Sequence, residues 1–78
     1  MPEKTYKIIK SYRDKETVIE GTLAELTKHF SYTLLLGHQE NPKIKKEPKD
    51  IKALMNNLQK AFDTIERACY TKTYVDLA

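Results

Sequence analysis

Five lysines fall within ten residues: Lys43, Lys45, Lys46, Lys49 and Lys52. Ammonium groups at that density can neutralise several phosphate or carboxylate oxygens together, so this segment is the chain's clearest candidate for an anion contact. It runs Asn41-Pro42-Lys43-Ile44-Lys45-Lys46-Glu47-Pro48-Lys49-Asp50-Ile51-Lys52 and leads into a helical apolar pattern. The amino end of a helix presents unpaired N–H groups and partial positive charge, which favours an anion there even without lysines. The two prolines restrict the backbone and so reduce the entropy that binding would remove. The competing reading of the same residues is a solvated loop kept soluble by lysine. Asn41, Asn57 and Lys60 are candidate donors that could orient a ligand. Tyr32, Tyr70 and Tyr74 are candidate faces on which a base could stack.

Catalytic equipment is not expected. Cys69 falls on the apolar face of the second predicted helix, where a thiol behaves as a small hydrophobe. His29 lies beside Phe30 at the edge of a predicted core, and His38 follows a glycine expected to end a helix. One cysteine and two histidines at these spacings do not make a tetrahedral metal site. The carboxylates are interleaved with lysine, as on a solvated surface. Gly21 and Gly37, the only glycines, read as punctuation rather than as a phosphate-cradling loop. No cofactor is expected. The net charge of +3 gives a mild bias toward anionic partners. Sequence-specific DNA reading leans on arginine, yet twelve of the fourteen basic residues are lysine.

The elements that must position these residues predict an α+β fold, an N-terminal β-hairpin packed on two α-helices. Residues 5–12 are rich in β-branched and aromatic types, with Tyr6, Ile8 and Tyr12 on one face and Lys10 interrupting them. Arg13-Asp14-Lys15-Glu16 reads as the connector and residues 17–21 as the returning strand. Thr22-Leu23-Ala24-Glu25 is a capping-box sequence. Leu23, Leu26, Phe30 and Leu34 then give one apolar stripe, so a helix is expected over about residues 23–36, ended by Gly37. A basic connector follows over residues 38–48. A second helix is expected over residues 49–69, with Ile51, Leu54, Met55, Leu58, Phe62, Ile65 and Cys69 on its buried face. Beside that face runs a seam of small or short polar residues: Ala53, Asn57, Ala61, Thr64 and Ala68. Such a seam lets another backbone come close, and packing within the domain is the simpler use of it. The segment 70–78 contains β-prone residues and can add a short third strand.

With 78 residues, the chain is expected to form one domain with a small core. A single cysteine allows no internal disulfide and points to a reducing compartment or to indifference to redox state. Self-association into a homodimer or higher oligomer is the remaining source of extra stability. The first residues carry no apolar run after their charges, and the longest apolar stretch is Leu34-Leu35-Leu36, far too short for a bilayer. A soluble, cytoplasmic protein with no membrane partner is expected.

From Asn41 onward the chain resembles a group of small accessory proteins from phages of low-GC Gram-positive bacteria. The matching features are Asn41-Pro42-Lys43-Ile44, Pro48-Lys49-Asp50-Ile51-Lys52, Leu54, Asn57-Leu58-Gln59-Lys60, Cys69-Tyr70 and Tyr74, preceded by Phe30-Ser31-Tyr32-Thr33-Leu34. The resemblance covers roughly residues 22–77. It implies a protein acting in the cytoplasm of a bacterial host cell, in a class that often disables host enzymes or defence systems. The expected function is therefore non-catalytic counter-defence: capture of an anionic, nucleotide-type small molecule such as an immune signal. One alternative is inhibition of a host enzyme or defence complex by direct protein binding, through a sheet edge or a helix flank. Nonspecific nucleic-acid binding, with its steep salt dependence, ranks third.

Overall fold

A computed structural model of the protein describes residues 4–66 and 72–78. Its elements are β1 (Thr5–Tyr12), β2 (Lys15–Thr22), α1 (Leu23–His29), α2 (Ser31–Glu40), α3 (Ile51–Ile65) and β3 (Thr73–Leu77). The strands form one antiparallel sheet in the order β2-β1-β3, with the C-terminal strand added beside β1. Helices cover one face only, α1 against β2 and α3 against β3, with α2 packed on α3. The fold is α+β, and the expected third strand is present.

The register explains which side chains meet the helices. Side chains directly opposite one another in an antiparallel ladder share a face. Ile19, Ile8 and Leu77 align on the helix-facing side, whereas Val18, Ile9 and Asp76 align on the open side. Ile8 is fully buried and joins Leu26, Phe30, Leu34, Ile44, Leu54, Leu58 and Ala61 in the core. Each fully buried aliphatic side chain of this kind contributes roughly 1.5–3 kcal/mol relative to exposure.

The hairpin is tighter than expected. Tyr12 pairs with Lys15, so Arg13 and Asp14 alone make the turn and β2 begins at Lys15 rather than at residue 17. Arg13 takes a positive φ of 57°, the geometry a two-residue turn needs at its first central position. Its guanidinium lies 5.5 Å from the centroid of the Tyr12 ring.

The first helix also differs from expectation, since residues 23–36 are not one helix. The chain kinks at Phe30 (φ −99°, ψ 14°), which closes α1 and opens α2. Phe30 is buried and meets Phe62 edge-on, with ring centroids 6.5 Å apart. The kink therefore falls where an aromatic anchor joins α1 and α2 to α3. Nor does Gly37 end the helix, because α2 continues to Glu40. A Cβ on Gly37 would lie 2.6 Å from the Ala61 Cβ, so this glycine is the point where α2 and α3 touch. At Ala61 the small-residue seam of α3 is thus used inside the domain. What stops α2 is Asn41, extended at φ −141° and ψ 102° as a residue before proline must be.

The capping box at Thr22 forms as expected. The Glu25 carboxylate accepts from the Thr22 N–H at 3.0 Å, and the Thr22 hydroxyl accepts from the Glu25 N–H at 3.2 Å. Helix α3 starts at Ile51, two residues later than expected, because Asp50 is its N-cap. The expected continuation of that helix to residue 69, with Ala68, Cys69 and Tyr70, lies outside the described residues.

Candidate functional site

The lysine-rich connector is an ordered loop, built from its one apolar residue outward. Ile44 is completely buried. Its N–H donates to the Asn41 carbonyl at 2.9 Å. Its own carbonyl lies 2.7 Å from His38 Nδ1, which must carry the proton to donate to it. The Asn41 side-chain oxygen accepts from the Lys43 N–H at 3.1 Å. From α3, the Asn57 side-chain oxygen accepts from the Lys45 N–H at 2.7 Å, and the Asn57 amide donates back to the Ala53 carbonyl. Asn57 is only 8% exposed. Asn41 and Asn57, proposed from sequence as ligand donors, thus spend these side-chain groups holding the loop.

With the backbone pinned from both sides, the lysines are left pointing outward. Lys43, Lys45, Lys46, Lys49 and Lys52 are all exposed. Among the described residues none of them is ion-paired; the ion pair present joins Lys7 to Glu20 on the sheet. The amino end of α3 is less open to an anion than its position suggested. Asp50 places its own carboxylate there, accepting from the Ala53 N–H at 2.7 Å. Any attraction for a negative ligand therefore belongs to the lysine side chains rather than to the helix terminus.

An open groove of about 790 Å³ lies where α1 and the start of α2 face the end of the connector. Leu23, Ala24, Leu35 and Pro48 give it apolar walls. Tyr32, which is 70% exposed, also lines it. Lys28 and Lys46 bring positive charge to this lining, and Glu47 brings one opposing carboxylate. Tyr32 and Lys46 are thus the two sequence candidates that this groove brings together. Lys28, Leu23, Leu35 and Pro48 were not among those candidates. Lys28 lies four residues before Tyr32, a spacing that sets side chains on one helix face, but the kink at Phe30 lies between them.

The other candidates lie apart. Lys52 borders a smaller concavity of about 370 Å³ with Met55, Asn56 and β3. Tyr74 lines one of about 230 Å³ with Ile9 and Glu16. Asn41, Lys43, Lys45, Lys49 and Lys60 line none of the three. Tyr70 lies outside the described residues. Among the described residues no cluster of three metal-ligating side chains occurs, and no helix is long and apolar enough to cross a membrane. Comparison with protein-family models, with curated proteins and with solved structures finds no match to this chain.

Proposed function

We infer that the protein is a non-catalytic binding protein that captures a small phosphate-bearing ligand of nucleotide type, in the manner of a phage counter-defence protein. The observation that carries the reading is that Tyr32 and Lys46 share one groove, with Lys28 beside them. A base would stack on the exposed Tyr32 ring, and a phosphate would meet the two ammonium groups. The apolar walls would exclude water from the base. Lys43, Lys45 and Lys49 line no part of the groove, but their unpaired charge would raise the local concentration of an anion. The resemblance to phage accessory proteins supports the class of ligand, a nucleotide-derived immune signal.

Isothermal calorimetry with cyclic dinucleotides and ADP-ribose-type compounds tests this directly. Binding of one of them is expected, about tenfold or more weaker in Tyr32→Ala if a base stacks on that ring. Lys28→Glu combined with Lys46→Glu should abolish it. Absence of heat from every compound at high protein concentration would defeat the reading.

A further inference from the structure

The two outer edges of the sheet are treated differently, and the difference points to a second binding surface unrelated to the groove. On β3 the outward N–H and C=O of Thr73 and the outward N–H of Val75 are taken up by side chains of α3 and its C-cap, Glu66. Gln59 accepts from the Val75 N–H at 3.2 Å and donates to the Thr73 carbonyl at 3.3 Å. The Glu66 carboxylate accepts from the Thr73 N–H at 2.9 Å. With these three groups occupied, the first half of that edge is closed to another strand.

On β2 the hairpin register assigns the outward groups. A two-residue turn is flanked by a pair that exchanges both hydrogen bonds, here Tyr12 and Lys15. The N–H and C=O groups of Glu16, Val18 and Glu20 therefore point away from β1. No side chain among the described residues reaches them. The one outward group that is closed is the Thr22 N–H, at the end of the strand. Residues 15–18 and Glu20 are exposed, Val18 to 59%. An uncovered edge of this length is a template for strand pairing.

The side chains on that edge select what can pair. Glu16, Val18 and Glu20 share the open face of the sheet, acid, apolar and acid at alternate positions. A second copy fits badly. In the fully overlapped antiparallel register, Val18 meets its own copy and each Glu16 falls opposite the other copy's Glu20. Like charges directly opposite destabilise a ladder. The Lys7–Glu20 contact, 3.9 Å long between exposed groups, neutralises little of this. We propose that residues 15–20 of β2 form a strand-addition site for an extended segment of another protein. That segment carries basic, apolar and basic side chains at alternate positions, opposite Glu16, Val18 and Glu20. Main-chain hydrogen bonds supply the attraction, and the two glutamates set the partner's charge.

The test uses two end-blocked peptides, one with Lys-Thr-Val-Thr-Lys at its centre and one with Glu-Thr-Val-Thr-Glu, titrated into the 15N-labelled full chain. The expected result is that the basic peptide shifts the amides of Glu16, Val18 and Glu20 and slows their exchange. The acidic peptide should not. Glu16→Lys with Glu20→Lys, both exposed changes, should reverse the preference by about tenfold. Val18→Pro removes an outward N–H without touching the ladder to β1, so it should abolish binding. Equal response to both peptides, shifts confined to other residues, or no shift at millimolar peptide would overturn the proposal. So would concentration-dependent shifts of these amides without peptide, which would make a second copy the occupant. Nucleotide binding in the groove would be untouched by any of these results.

Discussion

The β3 edge and the β2 edge of one small sheet show two ways of ending a ladder. At β3, Gln59 of α3 and its C-cap Glu66 reach the strand, so the outward groups of Thr73 and the Val75 N–H are sealed by side chains. At β2 no side chain among the described residues reaches the outward groups of Glu16, Val18 and Glu20, and that stretch is guarded by charge alone, with Glu16 and Glu20 on either side of Val18. A sealed edge excludes every partner, whereas a charged edge excludes only partners of its own sign. The comparison also separates what can change cheaply from what cannot. The sealed edge depends on α3 being seated correctly, and the open edge depends on the hairpin pairing of β2 with β1.

The strongest way to break the contrast is to unseat α3. Gly37→Ala places a methyl group 2.6 Å from the Ala61 Cβ and 3.0 Å from its Cα, with backbone behind it on both helices. Overpacking of this kind costs about 1–3 kcal/mol, and the upper end is expected because neither contact is a flexible tip. A fall in the urea midpoint, with faster amide exchange in β3 than in β2, would show that the seal relies on this crossing. Unchanged stability would mean that the helices can slide apart freely.

A narrower cut removes the seal itself. Gln59→Ala leaves the Thr73 carbonyl and Val75 N–H without their partners, for a loss of about 1–2 kcal/mol. The Val75 amide should exchange faster, and β3 should gain a tendency to pair between copies. Val18→Thr on the other edge should change stability by less than about 0.5 kcal/mol, because the side chain is exposed and touches no helix. Equal losses at the two positions would erase the distinction between the edges.

Much of this arrangement was legible from local pattern. Leu26, Leu34, Leu54 and Leu58 recur at helical spacing and are buried. The Thr22-to-Glu25 capping box needs only its own four residues to form. What escaped was whatever depends on a second segment. Gly37 has the composition of a helix stop, and only the presence of Ala61 makes it a crossing point. Asn57 looks like any polar residue on an exposed helix flank until Lys45 is folded onto it. Phe30 continues the apolar stripe in sequence, yet it sits at the kink between α1 and α2, where it meets Phe62 edge-on. The turn carries no glycine or asparagine, since Arg13 takes the positive φ, so its two-residue length left no compositional mark. The groove is of the same kind: Tyr32 and Lys46 lie fourteen positions apart and become neighbours only after the connector is pinned.

The mildest test lies where the β2 edge stops being open. The capping box closes the Thr22 N–H, and Thr22→Ala removes one half of it at a cost of about 1 kcal/mol. The other half titrates. Hydrogen bonds from the Thr22 backbone, then from its side chain, hold the Glu25 carboxyl below the ordinary glutamate value of 4.5. A carboxyl whose pKa is depressed by folding contributes stability above its unfolded pKa and loses it as pH falls through the folded value. Glu25→Gln keeps an oxygen acceptor and removes the charge. The gap in melting temperature between the native chain and this variant should therefore be widest near neutral pH and shrink as pH falls through and below the ordinary glutamate value of 4.5. A gap that stays constant across that range would show that the charge contributes nothing and that the Thr22 N–H is closed by geometry alone.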